Sequence, residues 1–497
     1  MPYTTPGVYI SEGSNSPHSV VAVATGIPVF IGYTQMAERN GQSLLHVPFR
    51  ISSMREYINF FGEGFTPKFK IAAATVGSSG DIFLLDGKKM QLQINPNNSL
   101  FFYNCIRFYY QNGGGDCYIL SVGTYAGKPN GIAINPEDFT GNSSTPDVFA
   151  ILEKENEAAV VVLPDIIANG TGAYPVYQRA LQHCAKTQCR FAIFDVWQSG
   201  TANTEQDVQQ FRDGIGIDNL KYGAAYYPWL KTSVIPGNEI DFINLDETVD
   251  LAAILPEAGA KKIAADMKAL PAEELLQKRV QFHQSLTTCS TMYKNIMETI
   301  RAHLNLLPPA AAMAGIYHLT DQARGVWKAP ANVSIATVNA PAVNISEKEQ
   351  QDLNVDMVNG KSINIIRTFP GIGTLVWGAR TLDGNSQDWK YVSVRRTMMM
   401  IEQSVKLALR SFVFEPNAAG TWVTIKTMIE NFLFNLWKQG ALQGIKPDQA
   451  YSVQVGLGIT MTAGDILNGL LKINVLVAVV RPAEFIEITF QQQQQQS

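Results

Sequence analysis

Three strand-like segments, the first of them an apolar β-branched run, and one helical pattern lie near the middle of the chain and constrain the fold most strongly. The strand-like segments are residues 158–163, 190–196 and 222–229, and residues 174–187 have the pattern of a helix. Strand, helix and strand at these spacings are typical of a parallel sheet with crossover helices. We therefore predict an α/β domain in this region.

Other patterns extend this interpretation to a multidomain chain of the α/β plus α+β class. Asp86-Gly87 suits the positive φ angles of a hairpin turn, two long helical patterns cover most of 246–306, and Pro308-Pro309 marks a boundary. The predicted segments are an N-terminal arm (1–20), N-terminal strands of a core (21–64), a short insertion with a hairpin (65–100), an α/β domain (101–310) with a helical segment (246–306), an α+β C-terminal core domain (311–478), a C-terminal strand arm (479–490) and a disordered poly-glutamine tail (491–497).

Both ends of the chain have strand-like sequences, although termini are usually the frayed and polar parts of a domain. Residues 485–490 alternate with the two-residue period of a β-strand. The residues concerned are Val8, Tyr9 and Ile10 at one end and Phe485, Ile486, Ile488 and Phe490 at the other. These side chains require a sheet, either in the same molecule or in a neighbour.

Composition excludes several classes of function. The chain has 497 residues, a formal net charge of −4 and 16% charged residues. No segment concentrates Lys and Arg, which argues against a nucleic-acid binder. Five cysteines without a C-x-x-C pair indicate a reduced, cytosolic protein, and neither a signal peptide nor a membrane span is expected.

A search for chemistry finds few candidates. Asp165 and Asp195 follow apolar strands, where open α/β sheets place ligands, but we favour a role in capping the next helix or turn. The glycines at 113–115 follow a helix and precede a strand, which is the wrong order for a phosphate-binding loop. The six histidines lack metal-ligand spacing, and neither G-x-S-x-G nor H-E-x-x-H occurs. We predict no catalytic, cofactor-binding or metal-binding residue.

Arginine and tryptophan instead recur beside turns and strands between residues 317 and 417. Arginines pinned by carboxylates or carbonyls, with tryptophan supplying contact area, indicate architecture or interface. For Arg395 and Arg396 we favour a salt bridge to Glu402 or Glu415 over a phosphate clamp. The residues predicted to form this structural motif are Arg324, Trp327, Trp377, Arg380, Arg395, Arg396 and Glu415.

These strings resemble the contractile tail sheath family of contractile phages, R-type bacteriocins and phage-tail-like extracellular injection systems. The ordered motifs run along the whole chain and are specific only together. They are P-G-V-Y-I-S-E (6–12), T-G-I-P-V-F-I-G (25–32), A-R-G-V-W-K-A-P-A-N (323–332), W-G-A-R-T-L (377–382), V-R-R (394–396), F-E-P-N (414–417) and R-P-A-E-F (481–485).

The resemblance implies a subtilisin-like topology for the α/β domain, without implying proteolysis, and terminal strands that are exchanged between subunits. It also implies hexameric rings stacked around an inner tube of a second protein, with baseplate and terminal cap proteins as further partners, after assembly in the bacterial cytoplasm. No nucleic acid, membrane insertion or cofactor is implied. Lys426 and Lys438, on a predicted helix at 421–439, are candidates for contact with the tube.

Two other functions stay open on the sequence alone. An α/β hydrolase-like enzyme would use Asp165 and Asp195, and a static tube or capsid component would assemble without contracting.

Overall fold

The structure is a computed structural model that describes residues 19–74, 82–85, 87–199, 204–356, 360–485 and 487. These residues divide into two compact units, one of residues 24–396 and one that joins residues 19–23 to the described part of 397–497. The arm residues Val8, Tyr9, Ile10, Ile486, Ile488 and Phe490 lie outside the described residues.

The strands of the described residues are short and mostly buried in the first unit. In chain order they are β1 Pro28–Thr34, β2 Glu38–Arg39, β3 Gln42–Ser43, β4 Phe49–Ile51, β5 Phe69–Ala73, β6 Ile82–Leu85, β7 Lys88–Ile94, β8 Cys117–Thr124, β9 Val160–Val162, β10 Phe191–Asp195, β11 Gly223–Tyr227, β12 Leu230–Thr232, β13 Leu306–Leu307, β14 Val333–Ser334, β15 Val338–Pro341, β16 Asn364–Phe369, β17 Gly373–Val376, β18 Tyr451–Val455 and β19 Ile473–Val477.

The α-helices range from a single turn to twenty residues. They are α1 Met54–Phe61, α2 Phe102–Gln111, α3 Glu137–Thr140, α4 Val148–Leu152, α5 Tyr174–Thr187, α6 Thr204–Gly214, α7 Leu251–Ile254, α8 Ala258–Lys268, α9 Ala272–Gln277, α10 Arg279–Cys289, α11 Thr291–Leu304, α12 Ala310–Arg324, α13 Glu347–Asn354, α14 Val392–Leu409, α15 Ala419–Lys438, α16 Pro447–Ala450 and α17 Ala463–Leu467.

A nine-stranded sheet forms the centre of the first unit, in the order β14-β17-β16-β11-β10-β9-β1-β8-β4. Adjacent strands from β8 to β16 in this order pair in parallel, and antiparallel strands lie at both edges. Every residue of β9, β10 and β11 is buried, as expected for strands with both faces covered. The predicted parallel sheet is confirmed.

The predicted boundary near residue 310 does not divide this sheet. Strand β16 pairs in parallel with β11 through Tyr226 and Asn364, so the sheet continues past the boundary. Helix α12 starts directly after Pro309. Pro309 is therefore the N-cap of a helix, where proline is tolerated because its missing N–H would be unpaired anyway.

The insertion and the helical segment share a second hydrophobic core. Phe69 and Leu92 of the small β5-β7-β6 sheet are buried with Leu255, Tyr293 and Ile300 of the helices. These two segments, predicted as separate parts of the chain, therefore fold together.

The long helical patterns over 246–306 are divided into shorter helices, which corrects the sequence interpretation. Pro256 separates α7 from α8, since the residue before a proline is disfavoured in helical conformation. Ser290 separates α10 from α11. Its hydroxyl accepts a hydrogen bond from the backbone N–H of Tyr293 at 3.1 Å, so it acts as the N-cap of α11.

The second unit contains the long helix α15 and a two-stranded antiparallel sheet of β18 and β19. Tyr451 pairs with Val477 at one end of this sheet and Val455 with Ile473 at the other. Helix α15 packs against β18. Its buried side chains are Ile425, Met428, Ile429, Phe432, Leu433 and Leu436.

Candidate functional site

Asp165 lies at the carboxyl end of β9 and caps a helix. Its carboxylate is fully buried and accepts hydrogen bonds from the backbone N–H groups of Tyr33 at 2.8 Å, Phe101 at 2.7 Å and Phe102 at 2.9 Å. Burial raises the pKa of Asp165 to about 6, although these three donors lower it. The carboxylate holds the start of α2 against β1, which is an architectural role.

Asp195, the last residue of β10, has a similar role at another helix. Its carboxylate accepts a hydrogen bond from the backbone N–H of Ala310 at 2.7 Å, at the start of α12. Burial raises its pKa to about 7. The capping interpretation is confirmed, but the helices capped are α2 and α12 rather than the next elements along the chain.

The raised pKa of Asp195 predicts that the protein loses stability as pH rises. The pKa of Asp195 is 3.8 in the unfolded chain and about 7 in the folded chain. The stability that the folded protein gains from holding this proton is therefore complete below pH 4 and is lost as the pH rises to 7. Between pH 5 and pH 8 this loss is about 3 kcal/mol, at about 1.4 kcal/mol per pKa unit. Asp195→Asn keeps an oxygen for the Ala310 N–H but cannot ionise. We expect it to be more stable than the wild type at pH 8 and to show a flatter pH profile.

Urea denaturation of the monomer at several pH values measures this effect. Burial lowers the pKa of His183 from 6.5 to about 4. The stability contributed by this neutral histidine is therefore lost as the pH falls below 6.5, and the loss is the same in the wild type and in Asp195→Asn. Asp165→Asn is the contrasting variant, because one amide oxygen cannot replace two carboxylate oxygens that accept three donors. Parallel pH profiles for the wild type and Asp195→Asn would contradict the assignment.

A cleft of about 1130 Å³ lies beyond the carboxyl ends of the parallel strands. Ala168, Trp197 and Trp229, which follow β9, β10 and β11, contribute to its wall, and Asp165 and Asp195 do not. Asp241 and Arg279, two of the ionisable residues in its wall, form a salt bridge. The position suits a ligand, but the two predicted carboxylates are used elsewhere.

The described part of the chain has neither a cluster suited to a metal ion nor a membrane-spanning helix. There, no group of three or more His, Cys, Asp or Glu side chains has the arrangement needed to hold a metal ion. No helix among the described residues is both long and apolar enough to cross a bilayer.

Arg396 is the centre of a buried ion pair that joins three distant segments. Its guanidinium donates to both carboxylate oxygens of Asp321, at 2.9 and 2.5 Å, and to the carbonyl of Thr25 at 2.9 Å. Both side chains of the pair are buried, and the guanidinium lies 4.6 Å from the ring centroid of Tyr317. The predicted salt bridge exists, but the partner of Arg396 is Asp321.

Arg395 and Arg380 are also buried and serve the packing of the first unit. Arg395 lies over the rings of Tyr222 at 4.6 Å and Trp389 at 4.8 Å and donates to the hydroxyl of Tyr222 at 3.1 Å. The backbone N–H of Arg380 donates to Asn364 Oδ1 at 2.7 Å. Arg380 Nη1 also donates to the carbonyls of Gly384 at 3.2 Å and Asn354 at 3.4 Å, which agrees with the predicted pinning of arginine by carbonyls. The Arg395 contacts given above are instead with aromatic rings and a hydroxyl, and Trp389 supplies contact area.

Other residues of the motif are partly or fully exposed. The ring of Trp327 covers Gly325, where a Cβ would come within 2.4 Å of it. Trp377 is 40% exposed and lies 4.5 Å from the ring of Phe369. Arg324 and Glu415 are exposed. The motif therefore does not gather into one site in the first unit, and its exposed members are available for contacts outside the chain.

The β18–β19 sheet of the second unit has free outer edges among the described residues, since each strand pairs only with the other. The chain then continues to Phe485, which is 74% exposed. Unpaired strand edges bind extended segments readily. Sequence reasoning pointed to strands that need a sheet, but it missed this acceptor sheet, whose signal was the alternation within 451–455 and 473–477.

Lys426 and Lys438 are both exposed on α15. Lys426 Nζ lies 3.8 Å from Glu430, one turn on, and Lys438 Nζ lies 4.4 Å from the ring centroid of Phe434. Neither contact buries the ammonium group.

The C-terminal part of the chain is similar to a known domain family. Residues 385–493 match the family model of the phage tail sheath C-terminal domain. The matched residues contain α15, the β18–β19 sheet and the F-E-P-N motif.

Similarity to solved sheath structures extends over the whole chain. The sheath complex of the extracellular contractile injection system PVC in its contracted state is 27% identical, with a TM-score of 0.62, and the alignment covers 99% of both chains. The helical sheath of the anti-feeding prophage in its contracted state is 27% identical, with a TM-score of 0.61 and coverage of 99% and 100%. The resemblance to contractile tail sheath proteins is confirmed.

Curated relatives match over shorter segments. The tail sheath protein of Vibrio phage KVP40 is 26% identical over 139 residues, which are 27% of this chain and 20% of that protein. The tail sheath protein of Burkholderia phage BcepMu is 27% identical over 146 residues, 28% of this chain and 30% of that protein. The matched segments therefore span less than a third of either relative.

Proposed function

We propose that this chain is the structural subunit of a contractile sheath, which polymerises as stacked hexameric rings around an inner tube and contracts to drive the tube through a target envelope. The observation that carries the proposal is the similarity to the contracted PVC sheath over 99% of both chains. The hydrolase alternative depended on Asp165 and Asp195 as catalytic residues. Both carboxylates are buried helix caps, which argues against that alternative.

Terminal strand exchange connects the subunits in this proposal. Residues 8–10 of one copy and 485–490 of another add to the two outer edges of a β18–β19 sheet by backbone hydrogen bonds, with alternate side chains in pockets. Such pairing tolerates movement of the linker between the strand and the rest of its subunit. The parallel sheet of residues 24–396, for which we infer a subtilisin-like topology, lies in the part of the subunit that repacks.

Contraction in this account is the conversion of a metastable lattice. The baseplate releases the extended sheath, the cores repack with more buried contact, and the strand exchange keeps the rings connected. The partners are other copies of this chain, an inner tube protein, and baseplate and terminal cap proteins. Assembly takes place in the bacterial cytoplasm.

Helix α15 is the proposed contact with the inner tube. Its exposed face is largely uncharged and polar, with Thr424, Thr427 and Asn431 beside the two lysines, which suits a weak contact that must release. Charge reversal at Lys426 and Lys438 together is expected to weaken tube binding at least about tenfold at low salt, because both charges are exposed and little screened there.

Co-sedimentation of sheath with purified tubes measures that binding. Lys446→Glu is the matched control, since it reverses an exposed lysine outside the helix and should bind as the wild type does. Unchanged tube binding by the double variant would assign both lysines to the solvated face of the helix.

Negative-stain microscopy of the chain expressed with its genomic neighbours tests the function as a whole. We expect cylinders of regular diameter that enclose a thinner tube. A soluble monomer that forms no filaments and hydrolyses a substrate would favour the enzyme, and cylinders of a single length and diameter would favour the static component.

A further inference from the structure

Phe414, in the F-E-P-N motif, combines full exposure with an unfavourable backbone. Its relative exposure is 102%, and its φ angle is +74°. A bulky residue with positive φ is a genuine outlier, and such conformations persist where the surrounding structure fixes them. The backbone is therefore held in a costly shape that presents an aromatic ring to solvent.

Hydrogen bonds that do not involve the ring of Phe414 hold this loop in place. Asn417 Nδ2 donates to the carbonyl of Leu470 at 3.0 Å, and Trp422 Nε1 donates to Asn417 Oδ1 at 2.7 Å. The backbone N–H of Glu415 also donates to the carbonyl of Phe412 at 3.1 Å. The loop is thus fastened to α15 and to the connection between β18 and β19, and the ring of Phe414 is free to contact something else.

The connection between β18 and β19 adds further exposed apolar side chains beside this loop. We call the combined surface the loop patch. Its members and their exposures are Val413 (61%), Phe414 (102%), Leu457 (54%), Ile459 (66%), Leu467 (87%) and Leu470 (49%). Together they expose on the order of 400 Å², at about 100 Å² for each fully exposed large apolar side chain. This area is within the range for the largest patch on a monomer, and a standard interface buries about 800 Å² per partner.

The loop patch differs in chemistry from the exposed face of α15. The nearby charges of Asp465 and Lys472 neutralise each other in an ion pair of 2.6 Å, and the exposed carboxylate of Glu415 adds one negative charge beside Phe414, so the patch is mainly apolar. Apolar interfaces are typical of lasting association, whereas α15 offers threonine, asparagine and lysine. A sheath has to release its tube while its own subunits stay connected, so the loop patch suits a contact between subunits.

We propose that the loop patch is a docking surface for a second copy of this chain, with Phe414 as its anchor. The proposal rests on the proposed sheath function and adds a contact to it. The patch continues from the ends of β18 and β19, at Val455 and Ile473, so a copy that adds its strand to this sheet is brought next to the patch.

The test is Phe414→Asn, since asparagine accepts positive φ and the substitution replaces the ring with a small polar amide. We expect the thermal unfolding temperature of the monomer to be unchanged or higher. The concentration at which purified chain polymerises, measured by sedimentation, should rise at least about tenfold, as for loss of an interface anchor. Leu467→Asn should raise it as well. Ile445→Asn, at a site that is 88% exposed and outside the patch, should polymerise as the wild type does.

Each other outcome overturns the proposal. Polymerisation of Phe414→Asn at the wild-type concentration would show that the ring anchors nothing. Normal polymerisation with loss of tube co-sedimentation would assign the patch to the tube. A wild-type chain that does not polymerise at all would refute the sheath function itself, and this inference with it.

Discussion

Deletion of residues 1–12, or of residues 485–490, is expected to abolish ordered tubes and to leave the monomer folded. Each deletion removes a strand that, in the proposed assembly, pairs with the β18–β19 sheet of another copy, and the backbone hydrogen bonds of that strand have no substitute. The strands of the central sheet and both hydrophobic cores lie outside the deleted segments. Electron microscopy of assembled protein, together with urea denaturation of the monomer, measures the two parts of the prediction.

Deletion of the poly-glutamine segment 491–497 is the matched control, because it shortens the same end without touching the proposed strand. This control should assemble as the wild type does. Two proteins that each lack one arm segment and still form regular tubes would show that the arms do not couple the subunits.

Arg396→Ala is expected to destabilise the monomer by about 3–5 kcal/mol, which is the usual cost of breaking a buried ion pair. The substitution leaves the Asp321 carboxylate, whose side chain is only 6% exposed, without its cation. It also removes a donor from the carbonyl of Thr25 and uncovers the ring of Tyr317. Urea denaturation of the monomer at constant pH measures the loss.

Two further variants distinguish the effect of the ion pair on stability from the effect of side-chain packing. Arg324→Ala, at an exposed arginine of the same motif region, should change stability by less than about 0.5 kcal/mol. The double variant Arg396→Met and Asp321→Leu should recover part of the loss, because it removes both charges together. A loss below about 1 kcal/mol for Arg396→Ala would mean that the ion pair does not hold these segments together.

Local sequence patterns were sufficient for the elements whose signal is local. Residues 174–187 form α5 with the predicted bounds, and β9, β10 and β11 lie within the apolar segments that predicted them. The glycines after α2 end that helix, with Gly113 at φ +84°. In each case the periodicity or the glycine determines the local secondary structure, so the element could be predicted without knowledge of the contacts between distant segments.

Contacts between segments that are distant in the sequence could not be predicted from local patterns. Asp165 caps a helix that precedes it by 63 residues, Asp195 caps one that follows 115 residues later, and Arg396 pairs with a carboxylate 75 residues away. The helical segment divides at Pro256 and Ser290 because a proline and a capping hydroxyl override the periodicity. The acceptor sheet depends on which edges the folded chain leaves unpaired, which only the fold decides.

The length and diameter of the assembled cylinders test the central claim most directly. Particles from co-expression with the genomic neighbours would be imaged before and after a mild chemical trigger, and each cylinder measured. The account predicts two populations, one long and narrow and one short and wide, with the inner tube displaced from the second. A single length and diameter under every condition, with the tube still enclosed, would contradict contraction.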